Sequence, residues 1–323
     1  MPNLTVAVLG EPGFAKDLGK TGTSSDITLY NLKRGTDSVT FIEPTRYPEK
    51  VAPLFFAVSL ADRAILVVGG VDAAFGETVL MLQCAGVAKG HLVLRNYLTR
   101  EQLLPLIRGT VVEGYEVFSG NPGGLRDSLL DEAAAGGGNT GRTGEQGPGT
   151  VPVDHFFPVK GIGTVVLGTV ASGEIHPHDT LQVLPLKRQV QVRSIQKLDD
   201  DAGIAVKGDR VGLALKGIEA EELDRGYVLT NDPGVKGSDV VSGRIDLVPY
   251  WKVPLKEGMM VHAGHWMQFV PGRIEAVDVS NGDRRPQVTI RLDREIVHPP
   301  GARAILHHLE GGSLRIIGCV RLP

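Results

Sequence analysis

The chain has 323 residues, a net charge of −3 and only 5% aromatic residues. That length suits two or three domains rather than one small core, and the near-balanced charge excludes the strongly basic body of a nonspecific nucleic-acid binder. Two distant cysteines, Cys84 and Cys319, an N-terminal apolar run too short for a secretory signal and no run long enough to span a bilayer predict a reduced, cytoplasmic protein with no metal centre.

An apolar run at residues 4–9 predicts a first strand that opens into a loop at 10–17. Residues 26–33 and 38–43 alternate about a turn at 34–37 and predict a hairpin. Helical spacing follows at 49–60, then an apolar strand at 64–68, a helix at 76–85 and a short strand at 91–94. Helices at 100–107 and 124–135 flank a strand at 115–118, and this order implies a mostly parallel sheet with helices on both faces. Residues 133–150 are Gly-rich with almost nothing to bury, which predicts a flexible linker. Beyond it no long helix is predicted. Short alternating runs recur at 164–171, 180–184, 190–196, 211–215 and 226–230, and again at 243–248, 259–262, 273–279, 287–292, 304–309 and 314–321. Such spacing argues for closed or sandwiched antiparallel sheets. The predicted fold is α/β plus all-β: an α/β domain at 1–132, the linker at 133–150, and two β-barrels at 151–235 and 236–323.

The loop after the first strand reads Gly10-Glu11-Pro12-Gly13-Phe14-Ala15-Lys16-Asp17. A phosphate-binding P-loop reads Gly-x-x-x-x-Gly-Lys-Ser/Thr, turning bare backbone N–H groups and one Lys toward the phosphates. Gly10 and Lys16 keep that spacing, whereas Ala15 replaces the second Gly and Asp17 replaces the hydroxyl that ligates Mg²⁺. A carboxylate there would repel a polyanion at short range. Lys16 can either hold a phosphate or stand solvated on a collapsed loop, and the second reading is preferred.

The block at residues 152–185, with those at 191–196, 208–218 and 225–229, resembles the second domain of the translational GTPase family, and within it the archaeal selenocysteine-specific elongation factors. The resemblance covers about eighty residues in the right order, and it implies that 236–323 is a second barrel. It also makes the N-terminal part a degenerate G domain. Glu43-Pro44-Thr45-Arg46-Tyr47 stands at the family's Asp-x-Pro-Gly-His. Glu43 keeps a carboxylate able to hold a Mg²⁺-bound water, Arg46 replaces the Gly that meets the γ-phosphate, and Tyr47 replaces the His that positions water. Arg95-Asn96-Tyr97-Leu98 stands at the guanine-reading motif, and Leu98 offers no acceptor where an Asp is required.

These departures remove several of the positioned charges on which phosphoryl transfer depends. They imply a degenerate nucleotide site, with Gly10, Gly13, Lys16, Asp17, Glu43 and Asn96 as its remnants, no GTP or Mg²⁺ as cofactor, and no GTPase activity. By the same resemblance Asp154, His155 and Arg193 stand at the aminoacyl pocket of the selenocysteine factors. An interdomain salt bridge between Asp154 and Arg193 accounts for them equally well. His262, His265 and Trp266 are expected to pack at a barrel edge rather than stack on RNA, and His176 and His178 to be solvated or packed rather than to bind a metal. The expected function is that of a monomeric elongation-factor paralogue that binds tRNA, the ribosome or another translation component without touching a membrane. Two alternatives stay open: a working, divergent GTP-dependent elongation factor, supported by Lys16 and Glu43 alone, and a protein-interaction scaffold without RNA.

Overall fold

The computed structural model describes residues 3–136, 147–278, 284–310, 312 and 314–323. The first domain is a seven-stranded sheet. Its strands are β1 (Asn3–Gly10), β2 (Lys20–Ser24), β3 (Ile27–Arg34), β4 (Asp37–Pro44), β5 (Arg63–Val68), β6 (Gly90–Leu94) and β7 (Glu116–Val117), in the order β2-β3-β4-β1-β5-β6-β7. The hairpin β3–β4 pairs antiparallel, and β4, β1, β5, β6 and β7 run parallel. Helices α1 (Ala52–Ser59), α2 (Ala73–Ala85), α3 (Arg100–Ile107) and α4 (Pro122–Ala134) connect the parallel strands or close the domain. The period-2 pleat sorts β1 onto two faces. Ala7 and Leu9 join the core under α1, α2 and α3, and Leu4, Val6 and Val8 join the core under α4.

The hairpin and the strand–helix alternation match the sequence reading, and α3 keeps the predicted bounds. Strand β2 was not foreseen. Instead of a helix after the loop, residues Phe14–Asp17 form one 3₁₀ turn and the chain passes straight into β2 at the sheet edge. Phe14, Ala15 and Leu18 are buried against β1 and α4, so this turn fills the space where a longer helix would otherwise cover the sheet.

The second domain closes into a barrel. Thr150–Val159 pairs with Gly163–Thr169 and Val228–Thr230, Arg210–Lys216 joins Gly163–Thr169 to Arg188–Lys197, and Thr180–Leu184 closes the ring between Arg188–Lys197 and Val228–Thr230. The third domain is a six-stranded closed barrel that begins with Lys236–Leu247, which pairs with both Gln287–His298 and Ile316–Arg321. Most of the expected linker, at 137–146, lies outside the described residues. Its described ends are docked rather than free. Ala133 and Ala134 close α4, Gly149 N–H donates to Asn231 Oδ1 at 2.6 Å, and Glu174 N–H donates to Gly147 O at 3.1 Å.

One continuous core runs from the first sheet into the last barrel. Phe55 of α1 packs on His307 and Phe269 with ring centroids 5.6 and 5.9 Å apart, and it faces Gly264 so closely that any side chain there would collide with its ring. Glu77 of α2, almost fully buried, accepts from Arg315 N (2.9 Å), Nε (3.1 Å) and Nη2 (2.6 Å). The two cysteines, 235 positions apart in the chain, meet at the same seam, where Cys319 Sγ donates to Cys84 O at 3.6 Å.

Candidate functional site

Gly10 ends β1 in a left-handed conformation (φ 94°), and a Cβ there would strike the carbonyl oxygen of Val67. Only Gly allows β1 and β5 to approach so closely. Gly13 is also left-handed (φ 88°), which turns its N–H inward. That N–H donates to the Glu43 carboxylate, which is buried at the end of β4. Burial, and then the Glu43 charge, push the Tyr30 hydroxyl up to about 12. The loop thus turns a backbone donor to an anion, as a phosphate cradle does, and that anion belongs to the chain itself.

Asp17 stands at the end of the 3₁₀ turn Phe14–Asp17. Its side chain is exposed on the 3₁₀ turn beside exposed Lys16, and the carboxylate that engages the loop is Glu43. Glu43, read as able to hold a metal-bound water, has its Oε1 engaged by the Gly13 N–H. Glu11 adds another acid, its Oε1 lying over Gly69 at the end of β5. In the loop after β6, Asn96 (φ 53°) donates to Gly69 O at 2.8 Å, Tyr97 is fully exposed, and half-buried Leu98 turns into the core. Arg95 lies over the Phe14 ring at 5.7 Å, closing this loop onto the 3₁₀ turn.

The second candidate cluster sits where the three domains meet. Asp154 is buried and takes a two-pronged contact from Arg210. Burial would raise its pKa, but the Arg210 charge and the hydrogen bonds from His155 and Arg210 outweigh it and hold the carboxyl below its ordinary range. His155 Nδ1 lies 2.7 Å from Asp154 Oδ1, and Nε2 lies 3.0 Å from Ser25 Oγ, across the boundary between the first two domains. Arg225 ties this junction together, donating to Asp26 Oδ1 (2.6 Å), Ser25 Oγ (2.9 Å) and Asp154 O (3.1 Å), with its guanidinium 5.1 Å over the Phe56 ring. Burial raises Asp26, and the hydrogen bond and charge of Arg225 more than reverse that. A cavity of about 500 Å³ is lined here by Phe56, His155, Phe156, Arg225, Met267 and Phe269, among others.

The structure brings Asp154 and His155 together and leaves Arg193 out. Arg193 donates to Ile162 O at 2.6 Å at the turn between the first two strands of the barrel. The expected Asp154–Arg193 bridge is therefore replaced by Asp154–Arg210. Arg210 and Arg225 were missed as site residues, although each lies within a sequence block that carried the family resemblance; what hid them was that their partners are 56 and 199 positions away. His262 stacks on Phe269 at 5.0 Å, and His265 packs on Trp266 at 4.4 Å, which agrees with packing roles. Among the described residues no group of three or more His, Cys, Asp or Glu could hold a metal ion, and no helix is long and apolar enough to cross a membrane.

Comparison with known proteins adds four findings. The family model for elongation factor Tu domain 2 matches residues 163–230. An uncharacterized protein of Methanocaldococcus jannaschii is 34% identical over 324 residues, with both chains covered completely. The selenocysteine-specific elongation factor of the same organism is 41% identical over 125 residues, which is 38% of this chain and 27% of that protein. The solved structure of translation elongation factor SelB from Methanococcus maripaludis, in complex with the GTP analogue GppNHp, is similar with a TM-score of 0.83 at 23% identity, over all of this chain and 79% of that one. At that identity the likeness speaks for the fold.

Proposed function

The chain belongs to the EF-Tu-like family of translational GTPases that includes SelB, and from that premise we propose that it is a cytoplasmic translation factor that holds tRNA, the ribosome or another translation component without a guanine-nucleotide switch. The observation that carries this reading is the Glu43 carboxylate seated on the Gly13 N–H. A triphosphate entering the loop would have to displace that carboxylate or lie against it. Two unit charges about 4 Å apart repel by about 4 kcal/mol at an effective dielectric of 20. The 3₁₀ turn at Phe14–Asp17 supplies no long helix whose dipole would offset the repulsion. Leu98, turned into the core, gives guanine no acceptor. These residues do not fit a magnesium–nucleotide, and no hydrolytic step is assigned to them.

With the switch silent, RNA or protein binding would be constitutive. Two measurements test this. Titration calorimetry with GTP, GDP and ATP in the presence of Mg²⁺ is expected to show no micromolar binding, and such binding would restore the divergent-GTPase reading. Filter binding with charged and uncharged tRNA at low salt is expected to show an affinity that GTP leaves unchanged. Failure to bind any RNA, with an RNase-insensitive protein pulldown, would move the function to a protein scaffold.

A further inference from the structure

We infer that Cys84 and Cys319 are a peroxide-responsive pair that closes into a disulfide and so bolts the first domain to the last barrel. Cys84 lies in the last turn of α2, and Cys319 in the strand Ile316–Arg321 of the third domain. Cα atoms of that helix and that strand come within 8 Å of one another. The final carbonyls of a helix have no partner within it, and Cys319 Sγ donates to the one on Cys84 at 3.6 Å. Arg303 Nη1 reaches the same oxygen at 3.5 Å, from the strand that pairs with the one carrying Cys319. Covalent geometry then puts the Cys84 Cα within about 6 Å of the Cys319 sulfur. A disulfide asks for Cα atoms about 4–7 Å apart, so side-chain rotation and a small backbone shift cover what remains.

Packing alone does not account for the setting of the pair. Both cysteines line one cavity of about 560 Å³ between α2 and the last barrel, and exposed Val71, Leu106 and Tyr250 form part of its wall. An oxidant as small as hydrogen peroxide can therefore come to the sulfurs, although both side chains are buried. The two thiols also differ. The Cys84 thiol beside it, and then the Arg303 guanidinium, hold Cys319 below its ordinary range against burial and the opposing charge of Asp246. Cys84 is pushed up by Cys319 and by burial. The thiolate is the nucleophile, and a neighbouring thiol resolves what it forms. Cys319 accordingly takes the first step and Cys84 the second.

In the first step Cys319, having given its proton to solvent, attacks one oxygen of hydrogen peroxide. The O–O bond breaks, the sulfur is oxidised to a sulfenic acid, and the departing hydroxide takes up a proton to become water. In the second step Cys84 Sγ gives up its proton and attacks the Cys319 sulfur. The S–O bond breaks, and its oxygen leaves as water with that proton. The net change is two thiols and one hydrogen peroxide to one disulfide and two waters. A dithiol reductant reverses it by exchange. The bond joins residues 235 positions apart and leaves the loop at Gly10–Asp17 untouched, so the inference stands apart from the nucleotide and RNA readings.

The test treats the full chain with hydrogen peroxide in native buffer and follows it by non-reducing peptide mass mapping. The expected product is one peptide pair joined through Cys84 and Cys319, lighter by two hydrogens than the separate peptides, with both thiols free again after dithiothreitol. The urea midpoint of the oxidised chain is expected to rise, because a bond that closes so long a loop restricts the unfolded chain. In Cys84→Ser nothing resolves the sulfenic acid, so dimedone is expected to label Cys319. In Cys319→Ser, Cys84 is expected to stay unlabelled. The cross-link is read in the wild type and does not depend on either variant folding. Thiols that stay free in the folded wild type under peroxide, a bond that forms only in denaturant, or a bond between two chains would each overturn the proposal and leave Cys319 as the partner of a helix-end carbonyl only.

Discussion

The last barrel is expected to weaken in mild acid because it encloses histidines that the fold keeps neutral, one of them at its seam with α1. His307 is wholly buried between Phe55 and Phe269, and its Nε2 has no hydrogen-bond partner. Burial pushes it down to about 3, and burial likewise pushes His265 down to about 4. Both lie far below the 6.5 expected of the unfolded chain. Unfolding therefore lets each ring take up a proton at any pH below about 6.5, and the unfolded state binds more protons than the native one. Stability is fully present above that value and is lost progressively as pH falls toward the folded values. Between pH 7.5 and pH 5 each ring costs about 2 kcal/mol by this linkage, or about 4 kcal/mol for the pair. That is a large share of the 5–15 kcal/mol typical of a folded protein. The carboxylates held low, Asp26 and Asp154, lose their contribution only as pH falls below about 5, where the unfolded chain's carboxylates begin to take up protons, so they do not mask this window.

The assay is urea unfolding followed by tryptophan fluorescence, since both tryptophans, Trp251 and Trp266, lie in the third domain with His307. The perturbation is His307→Leu, which leaves an apolar side chain among the rings. Its absolute stability is not the readout. The loss between pH 7.5 and pH 5 should shrink by about 2 kcal/mol relative to wild type. The same pH dependence in variant and wild type would refute the reasoning.

Two further substitutions probe other joints. Glu77→Gln takes the charge from a buried acid that accepts three hydrogen bonds from Arg315. It is expected to cost about 3–5 kcal/mol in urea unfolding, because a half-buried guanidinium is left without its counter-charge; a loss under about 1 kcal/mol would mean that solvent already satisfies Arg315. Gly10→Ala forces a Cβ into the Val67 carbonyl at a left-handed φ of 94°. It is expected to lower stability by about 2 kcal/mol or more, and an unchanged thermal midpoint would show that β1 and β5 can separate at no cost.

Local patterns made much of the architecture readable. The apolar run of β1 and the turn between β3 and β4 depend on residues a few positions apart. So do the helix Arg100–Ile107, with its Thr99–Gln102 capping box, and the short strands of the barrels. Period and turn chemistry act over that range, and the family resemblance then supplied the order of the domains. The sites behaved differently. That Asp17 stands where a P-loop carries a hydroxyl was visible in the sequence, and the acid that the loop engages was not, because Glu43 reaches Gly13 only once β4 lies beside β1. Asp154 was legible as a charged residue near a barrel edge, yet its choice of Arg210 over Arg193 is set by which strands the barrel brings alongside. Ser25 carried no signal at all; it meets His155 across 130 positions and a domain boundary. The sequence by itself determined the elements and their kind, since hydrophobic period and backbone propensity are properties of neighbours in the chain. Only the tertiary structure decided which charges and hydroxyls share a site, since hydrogen bonds and ion pairs act over a few ångströms of space and are indifferent to separation along the chain.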